Sequence, residues 1–425
     1  MKANPVVITG AGMVTSLGRS RSETWSALLA GRCGVGPIQG FDCAGFSCRV
    51  AAQALNFDWS DIARQSKHET ILDLHSYMLL ESARDAYRKA GLERGSFAAE
   101  QVGFFVGMGM VDHDLEQLMP AVTRCVDGAG RFDGAAFYTS GYQEIHPLFI
   151  LSLSNNVSFC QVAIELGIRG ENAVFAPHAD AGAQAIAEGV RTVAEGKASV
   201  VLAGGVSEKI TPQSLARAHL HGSLNLDEHS QFFACRPFGA ARSGTVLGEG
   251  CGVLCLESRA SADRRGVSYR VAITGYGAGF GVGADEAASA DAIACAMETA
   301  LEDAELRACD IDVVIAHGEG TCAGDAIEIE AIEGVFASDR ERPRLFSSKG
   351  ALGHLLAGAP AVDAILAEAI LREQLLPPTL GSEPADPRGG LRLSSRVQQV
   401  GAKNILLNCR SYEGYYASLV FEAVS

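Results

Sequence analysis

The sequence predicts a layered α/β protein built as two similar halves around one core. Three observations carry this. Apolar runs of strand length alternate with longer runs of helical periodicity along the whole chain. The second half repeats the grammar of the first. No Pro- or Ser-rich stretch intervenes that would serve as a linker between independent domains.

The elements follow in order. Residues 5–9 (PVVIT) read as a strand. A helix is expected over Arg21–Leu28, with Ser20 as its cap and Glu23 three residues on, as in a capping box. Residues 67–91 read as a helix stopped at Gly91, and 102–107 (VGFFVG) as a buried strand. Residues 110–147 follow no period, mix glycine with aromatics, and read as an irregular insertion. A helix over 151–170 ends in a glycine stop, and a second, rich in small residues, runs over 181–197 and is closed by Gly196. Between them FAPHADAGA (175–183) forms an elbow from strand to helix. ASVVLAGGV (198–206) is nearly continuous in apolar character, the mark of a central strand covered on both faces. The second half offers strands at 267–277, 312–318 and 403–409 and a helix at 291–306.

Composition narrows the class. The 425 residues, 48% hydrophobic and 20% charged, suit a large compact core. A formal net charge of −15 without any Lys/Arg-rich run argues against nucleic-acid binding. No apolar run approaches the ~20 residues of a membrane span, and MKANPVVITGAG lacks the apolar region of a signal peptide. The 12 cysteines show no paired spacing and read as reduced thiols of a cytoplasmic protein. Cys251 and Cys255 lie four apart, but nothing completes a zinc set, so no metal is expected. ITGAGMVTSLG places Gly10, Gly12 and Gly18 at a spacing unlike the dinucleotide fingerprint, and a plain strand-to-helix turn is the better reading.

Several segments together resemble the β-ketoacyl-ACP synthase (ketosynthase) family of the thiolase fold. VVITGAGMVTSLG…W…LLAGRCGVGPIQGFD (6–42) is similar to its N-terminal signature, and RPFGAARSGTVLGEGCGVLCLE (236–257) to its RPFDxxRDGFVxGEGAGxLxLE segment. VIAHGEGTCAGDAIEIEAI (314–332) resembles the first histidine motif, N-A-H-G-T-x-T-x-x-G-D. SSKGALGHLLAGAPAVDAIL (347–366) resembles the second, S-x-K-x-x-x-G-H-x-x-G-A-A-G. The resemblance implies a thiolase-like αβαβα fold, with one half over residues 1–257, including an insertion at about 110–150 near the dimer interface, and the other over 258–425.

It also implies a chemistry: decarboxylative Claisen condensation. A cysteine at a helix N-terminus takes up an acyl chain, its thiolate favoured by the helix dipole. Two histidines donate hydrogen bonds to the malonyl thioester oxygen and stabilise the enolate. His317 and His354 match those histidines, Lys349 matches the family lysine, and Asp363 falls where the family often has Glu. The nucleophile motif T-A-C-S-S-G reads P-H-A-D-A-G here, with Ala179 in the place of the cysteine. His178 is a capable neighbour, read as a packing or hydrogen-bonding group. Cys160 reads as a small buried hydrophobe.

Other departures cluster around the same site. Glu319 replaces the Thr of H-G-T, two residues before Thr321, where a hydroxyl would meet the phosphopantetheine arm. The glycine-rich loop N-S-F-G-F-G-G-T-N becomes Asn408, Cys409, Arg410, Ser411, Tyr412, Glu413, Gly414, Tyr415, Tyr416, leaving Tyr412 as a candidate gate. Gly239 and Ser243 replace two aspartates. Arg64, Lys67 and Arg217 remain as candidates for docking acyl carrier protein, while Glu144 stands where basic residues are common.

Three readings follow. The expected one is a ketosynthase-like subunit of chain-length-factor type. It pairs as a heterodimer with an active ketosynthase and shapes an acyl tunnel in type II polyketide or fatty-acyl biosynthesis. Substrates ride on the phosphopantetheine of acyl carrier protein and no other cofactor is expected. The second is a malonyl-carrier-protein decarboxylase that uses His317 and His354. The third is an active condensing enzyme with an unrecognised nucleophile.

Overall fold

The computed structural model describes residues 5–54, 59, 73–92, 95–110, 112, 115–147, 149–152, 154–176, 179–226, 233–281, 286–337, 342–393 and 395–424. Eleven strands form one large sheet. They are β1 (Val6–Thr15), β2 (Val102–Met108), β3 (Asn172–Phe175), β4 (Val200–Val206), β5 (Gly250–Ser258), β6 (Val271–Phe280), β7 (Val313–Ile315), β8 (Arg344–Phe346), β9 (Arg392–Leu393), β10 (Asn404–Arg410) and β11 (Tyr415–Ala423).

Their spatial order is β9-β8-β7-β10-β11-β6-β1-β5-β4-β2-β3. Within β1–β5 the order is third, second, fourth, fifth, first. The strands β6, β7, β8, β10 and β11 repeat that order, and β9 adds an edge. The first strands of the two sets meet back to back over only two antiparallel pairs, Val6–Ile273 and Val7–Ala272. In both sets the second, third and fourth strands run parallel and the fifth turns antiparallel.

Six helices complete the layers: α1 (Leu74–Lys89), α2 (Asn156–Leu166), α3 (Ala181–Ala194), α4 (Glu286–Ala304), α5 (Cys322–Phe336) and α6 (Ala359–Glu373). Strand alternation shows how they stack. Val201 and Ala203 of β4 and Ile405 and Leu407 of β10 join one core with Ile186 and Val190 of α3 and Val362–Leu371 of α6. Val200 and Leu202 point the other way, toward Met78 and Leu79 of α1 and Phe159 of α2. Val314, Leu406 and Val420 point toward Ile293 and Met297 of α4 and Ile332 of α5. Period-2 side chains thus feed two cores from each half. The result is five layers: outer helices, sheet, central helices, sheet, outer helices. The central helix α6 is buried along nearly its whole length, as its apolar composition requires.

Most expected elements stand where the sequence puts them. Ser20 caps the helix Arg21–Leu29 by accepting the Glu23 N–H, while the Glu23 carboxylate reaches the Arg19 N–H rather than its own cap. The insertion is more regular than expected, with helices at Leu115–Arg124 and Gly134–Thr139. Short helices defined by local caps, such as Asp133 on the Ala136 N–H, leave no long period to read. Cys160 is exposed on α2, not buried, because α2 packs through Phe159 and Val162. No helix among the described residues is long and apolar enough to cross a membrane.

Candidate functional site

The loops that follow β3, β7 and β10 converge with the turn that precedes α6. The elbow ends at α3, whose first residues press against the backbone. A Cβ on Gly182 would stand 2.4 Å from the Ala357 carbonyl oxygen, so only glycine lets the helix head approach that closely. Ala179 lies just before that head, buried, with Asp180 beside it. The Asp180 carboxylate accepts a hydrogen bond from Gln184 at 2.5 Å. His178 lies outside the described residues, as do Arg64 and Lys67.

The nearby thiol is Cys409 of β10. Burial raises its pKa well above the ordinary value, with Asp180 adding to the effect, and its Sγ donates to the Ala417 carbonyl at 3.0 Å. That is an inert thiol, not a thiolate. A cavity of ≈50 Å³ opens beside Ala179, bordered by Met110, Glu208, Arg217, Leu356 and Tyr412. Arg217 gives one Nη to Asp112 and the other to Glu208, each at 2.6 Å, so it is bound inward rather than free to dock a carrier protein.

His317 sits in the loop after β7, and two carboxylates of α5, three residues apart on one face, fasten that loop. Glu328 accepts the N–H groups of His317 and Gly318, both at 2.7 Å, and the Asn408 amide at 2.8 Å. Asp325 accepts the N–H groups of Glu319 and Gly320 at 3.0 Å and of Phe238 at 2.6 Å. Burial pushes Asp325 up to about 7, against the pull of its N–H donors, and raises Glu328 as well. Lys349 donates from Nζ to the His317 carbonyl at 2.5 Å and stands 3.9 Å from Asp363. It therefore holds the loop from its far side.

His354 is placed by strand-like bonds to 246–248: its N–H donates to the Val246 carbonyl, and its own carbonyl accepts the Gly248 N–H. The two imidazoles meet edge to face, with centroids 4.9 Å apart. Both tautomers are set by backbone donors. His317 Nδ1 accepts the Arg410 N–H at 3.2 Å, and His354 Nδ1 accepts the Leu356 N–H at 3.3 Å. Each neutral ring therefore carries its proton on Nε2, facing the site. Burial, reinforced by Lys349, pulls His317 down to about 4; burial, reinforced by His317, holds His354 well below its usual value. Both are neutral donors near pH 7.

Glu319 stands between them. Its carboxylate lies 3.3 Å from His317 Nε2, 2.8 Å from Arg410 Nη1 and 2.6 Å from the Thr321 hydroxyl. Burial alone would raise its pKa, but Arg410 and the imidazoles outweigh burial and hold it well below the usual range. One negative charge therefore resides on Glu319. The His354 Nε2 and the Tyr412 hydroxyl are buried without a hydrogen-bond partner. Tyr412 stacks on His221 with centroids 5.6 Å apart and covers His354 at 6.1 Å. Its hydroxyl lies near Ser223 and Glu319 without closing a bond to either. Thr321 caps α5 through the Gly324 N–H and is thus a structural partner of Glu319.

His317, Glu319 and His354 are the one group of potential metal ligands among the described residues, with ligand atoms within 4.8 Å of one another. The tautomers do not fit a metal. Ligation through Nε2 would force each ring proton onto Nδ1, against the N–H of Arg410 or Leu356. The pocket is built to donate to an oxygen.

Two models of one family account for most of the chain: the β-ketoacyl synthase N-terminal domain over residues 3–262 and the C-terminal domain over 271–383. The chain belongs to the β-ketoacyl synthase family. Among its relatives, 3-oxoacyl-(acyl-carrier-protein) synthase 2 of Vibrio harveyi is 30% identical, with both chains covered in full. The enzyme of the same name from Staphylococcus aureus (strain COL) is 28% identical over 98% of each chain. Two solved structures are similar over 99% of this chain and 100% of theirs, both at 26% identity: the ishigamide ketosynthase/chain length factor, with a TM-score of 0.84, and a β-ketoacyl synthase from Burkholderia phymatum, with 0.85. The thiolase-like fold of this family is the fold of the chain.

In this ketosynthase-family site the structure brings together Ala179, His317, Glu319, Thr321, Lys349, His354 and Tyr412. Sequence reasoning missed Arg410, Asp325 and Glu328. A signal for Arg410 existed: an acidic and a basic residue each break a family motif, at 319 and 410, and opposite charges in two altered loops suggest a pair.

Proposed function

We propose that the chain is a non-condensing ketosynthase subunit that pairs with an active β-ketoacyl synthase and helps wall its acyl tunnel. The observation that carries this reading is Ala179 at the head of α3: that position offers no nucleophilic atom, and the thiol nearby, Cys409, is buried, protonated and engaged.

The surface favours a partner. Among the described residues β3 is an edge strand, hydrogen-bonded only to β2. The insertion and α2 add exposed Met119, Phe132, Tyr138, Tyr142 and Ile164. An unpaired strand edge with exposed apolar side chains suits a protein interface. Substrates carried by acyl carrier protein are inferred from the names of the related synthases. The chain-length-factor type is inferred from the similar ishigamide structure.

The test is co-expression with a β-ketoacyl synthase whose T-A-C-S-S motif is intact, followed by size exclusion and mass measurement. A one-to-one heterodimer is expected; a stable homodimer that ignores the synthase refutes the reading. The decarboxylase alternative rests on the two Nε2–H donors of His317 and His354. It is tested by carbon dioxide release from malonyl carrier protein, where the parent is expected to stay at background.

A further inference from the structure

The donors that converge on the paired histidines, except His354 Nε2 and the Tyr412 hydroxyl, already face a negative oxygen of the protein itself. His317 Nε2, Arg410 Nη1 and the Thr321 hydroxyl contact the two Glu319 oxygens, and the Tyr412 hydroxyl lies close by. The Glu319 side chain is only 2% exposed, so water does not compete for it. Its backbone is fixed as firmly, by Asp325 on its N–H and by the left-handed glycines Gly318 and Gly320 on either side, at φ of +40° and +82°. Residue 319 stands where the related motif has Thr, and 410 where it has Phe. The two departures meet as one ion pair.

We propose that Glu319 is a tethered anion that fills the oxyanion pocket of the histidine pair, with Arg410 as its counter-ion, so that this chain excludes the malonyl thioester from a pocket that is otherwise assembled. The pair decides what the pocket accepts. A thioester carbonyl needs the His317 Nε2–H that Glu319 holds. Breaking the Cα–carboxylate bond of malonyl thioester sends its electron pair into an enolate, whose oxygen would develop charge against a carboxylate. Carbon dioxide would leave, and water would return a proton to the carbon to give acetyl thioester. With Glu319 in place the first of these events is opposed both by occupancy and by charge. The proposal rests on the non-condensing reading and adds to it a cause separate from the loss of the nucleophile.

The experiment restores the pocket without restoring the cysteine. Glu319→Thr combined with Arg410→Phe removes the pair together, leaving no unpaired buried charge. Carbon dioxide release and acetyl-thioester formation are followed on malonyl carrier protein. We expect the double variant to exceed the parent by about 100-fold, the scale of one oxyanion donor, and His317→Ala in the same background to cancel the gain. A folded double variant no faster than the parent overturns the proposal and leaves the non-condensing subunit standing. A parent that already releases carbon dioxide in a His317-dependent way overturns the proposal and favours the decarboxylase reading, while the pairing with a synthase is still decided by size exclusion. Should the variant fold poorly, nitrogen NMR on the parent decides instead. The proposal requires His317 in the parent to hold its proton on Nε2 between pH 6 and 8, in slow exchange with water because Glu319 accepts it; a ring protonated on Nδ1, or an Nε2 proton in fast exchange, overturns it.

Discussion

Glu328→Ala should be among the most damaging single substitutions near the site, although Glu328 touches no substrate position. Its carboxylate, 2% exposed, accepts the N–H groups of His317 and Gly318 at 2.7 Å and the Asn408 amide at 2.8 Å. Alanine leaves three donors without acceptors in a dry interior. At about 1–3 kcal/mol for each unsatisfied group the loss is roughly 3–6 kcal/mol, allowing for partial relaxation of the amide. Some is returned, because burial raises the Glu328 pKa and its carboxylate no longer has to be desolvated. A net of about 2–4 kcal/mol remains, against a total stability on the order of 5–15 kcal/mol. Urea unfolding, read as the midpoint shift at constant slope, measures it. Glu330→Ala is the control: it lies on the same helix, is exposed, and should shift by less than about 0.5 kcal/mol. A Glu328→Ala loss below about 1 kcal/mol would show that the His317 loop is not held by α5, and the account of the site would fail.

Other outcomes follow from the same geometry. The neutral His317, pulled down to about 4 from 6.5, contributes stability that is present above pH 6.5 and lost as pH falls toward 4, roughly 3 kcal/mol in all. Asp325, raised to about 7 from 3.8, contributes in the opposite sense, with stability lost as pH rises through that window. Asp325→Asn should therefore steepen the gain in stability between pH 4 and 7 measured by urea midpoints; an unchanged slope refutes the assignment. Gly182→Val drives a side chain into the Ala357 carbonyl, 2.4 Å from the Cβ, and should lower the melting temperature by several degrees or abolish soluble expression. Phe132→Asp with Tyr138→Asp changes exposed side chains, so the chain should keep its melting temperature yet lose co-purification with its synthase partner. Retention of the complex would move the interface elsewhere.

The sequence could be read this far because its informative features are local. A continuous apolar run in 198–206 and helical periodicity in 181–197 name their elements without any long-range knowledge. The histidine motifs are also local, so His317, His354 and Lys349 could be placed before any coordinates. The exposure of Cys160 is not legible in the sequence, because an apolar stretch does not say which stripe faces inward, and α2 turns Phe159 and Val162 to the core. The short helices of the insertion are not legible either, because they carry too few residues to show a period.

The sequence by itself determined the fold class, the two-half grammar and the absence of a nucleophile at Ala179, because each is a property of residue order. Only the tertiary structure decided how the charges of the altered loops meet. Glu319 and Arg410 are 91 positions apart and meet at 2.8 Å; His317 and Glu328 are eleven apart, joined from a loop to a helix. The tautomers of His317 and His354 are written in the N–H groups of Arg410 and Leu356, which no motif records. Charge and hydrogen bonding act through space at a few ångströms, so a carboxylate that the sequence shows only as a replaced Thr is the acceptor shared by His317, Thr321 and Arg410.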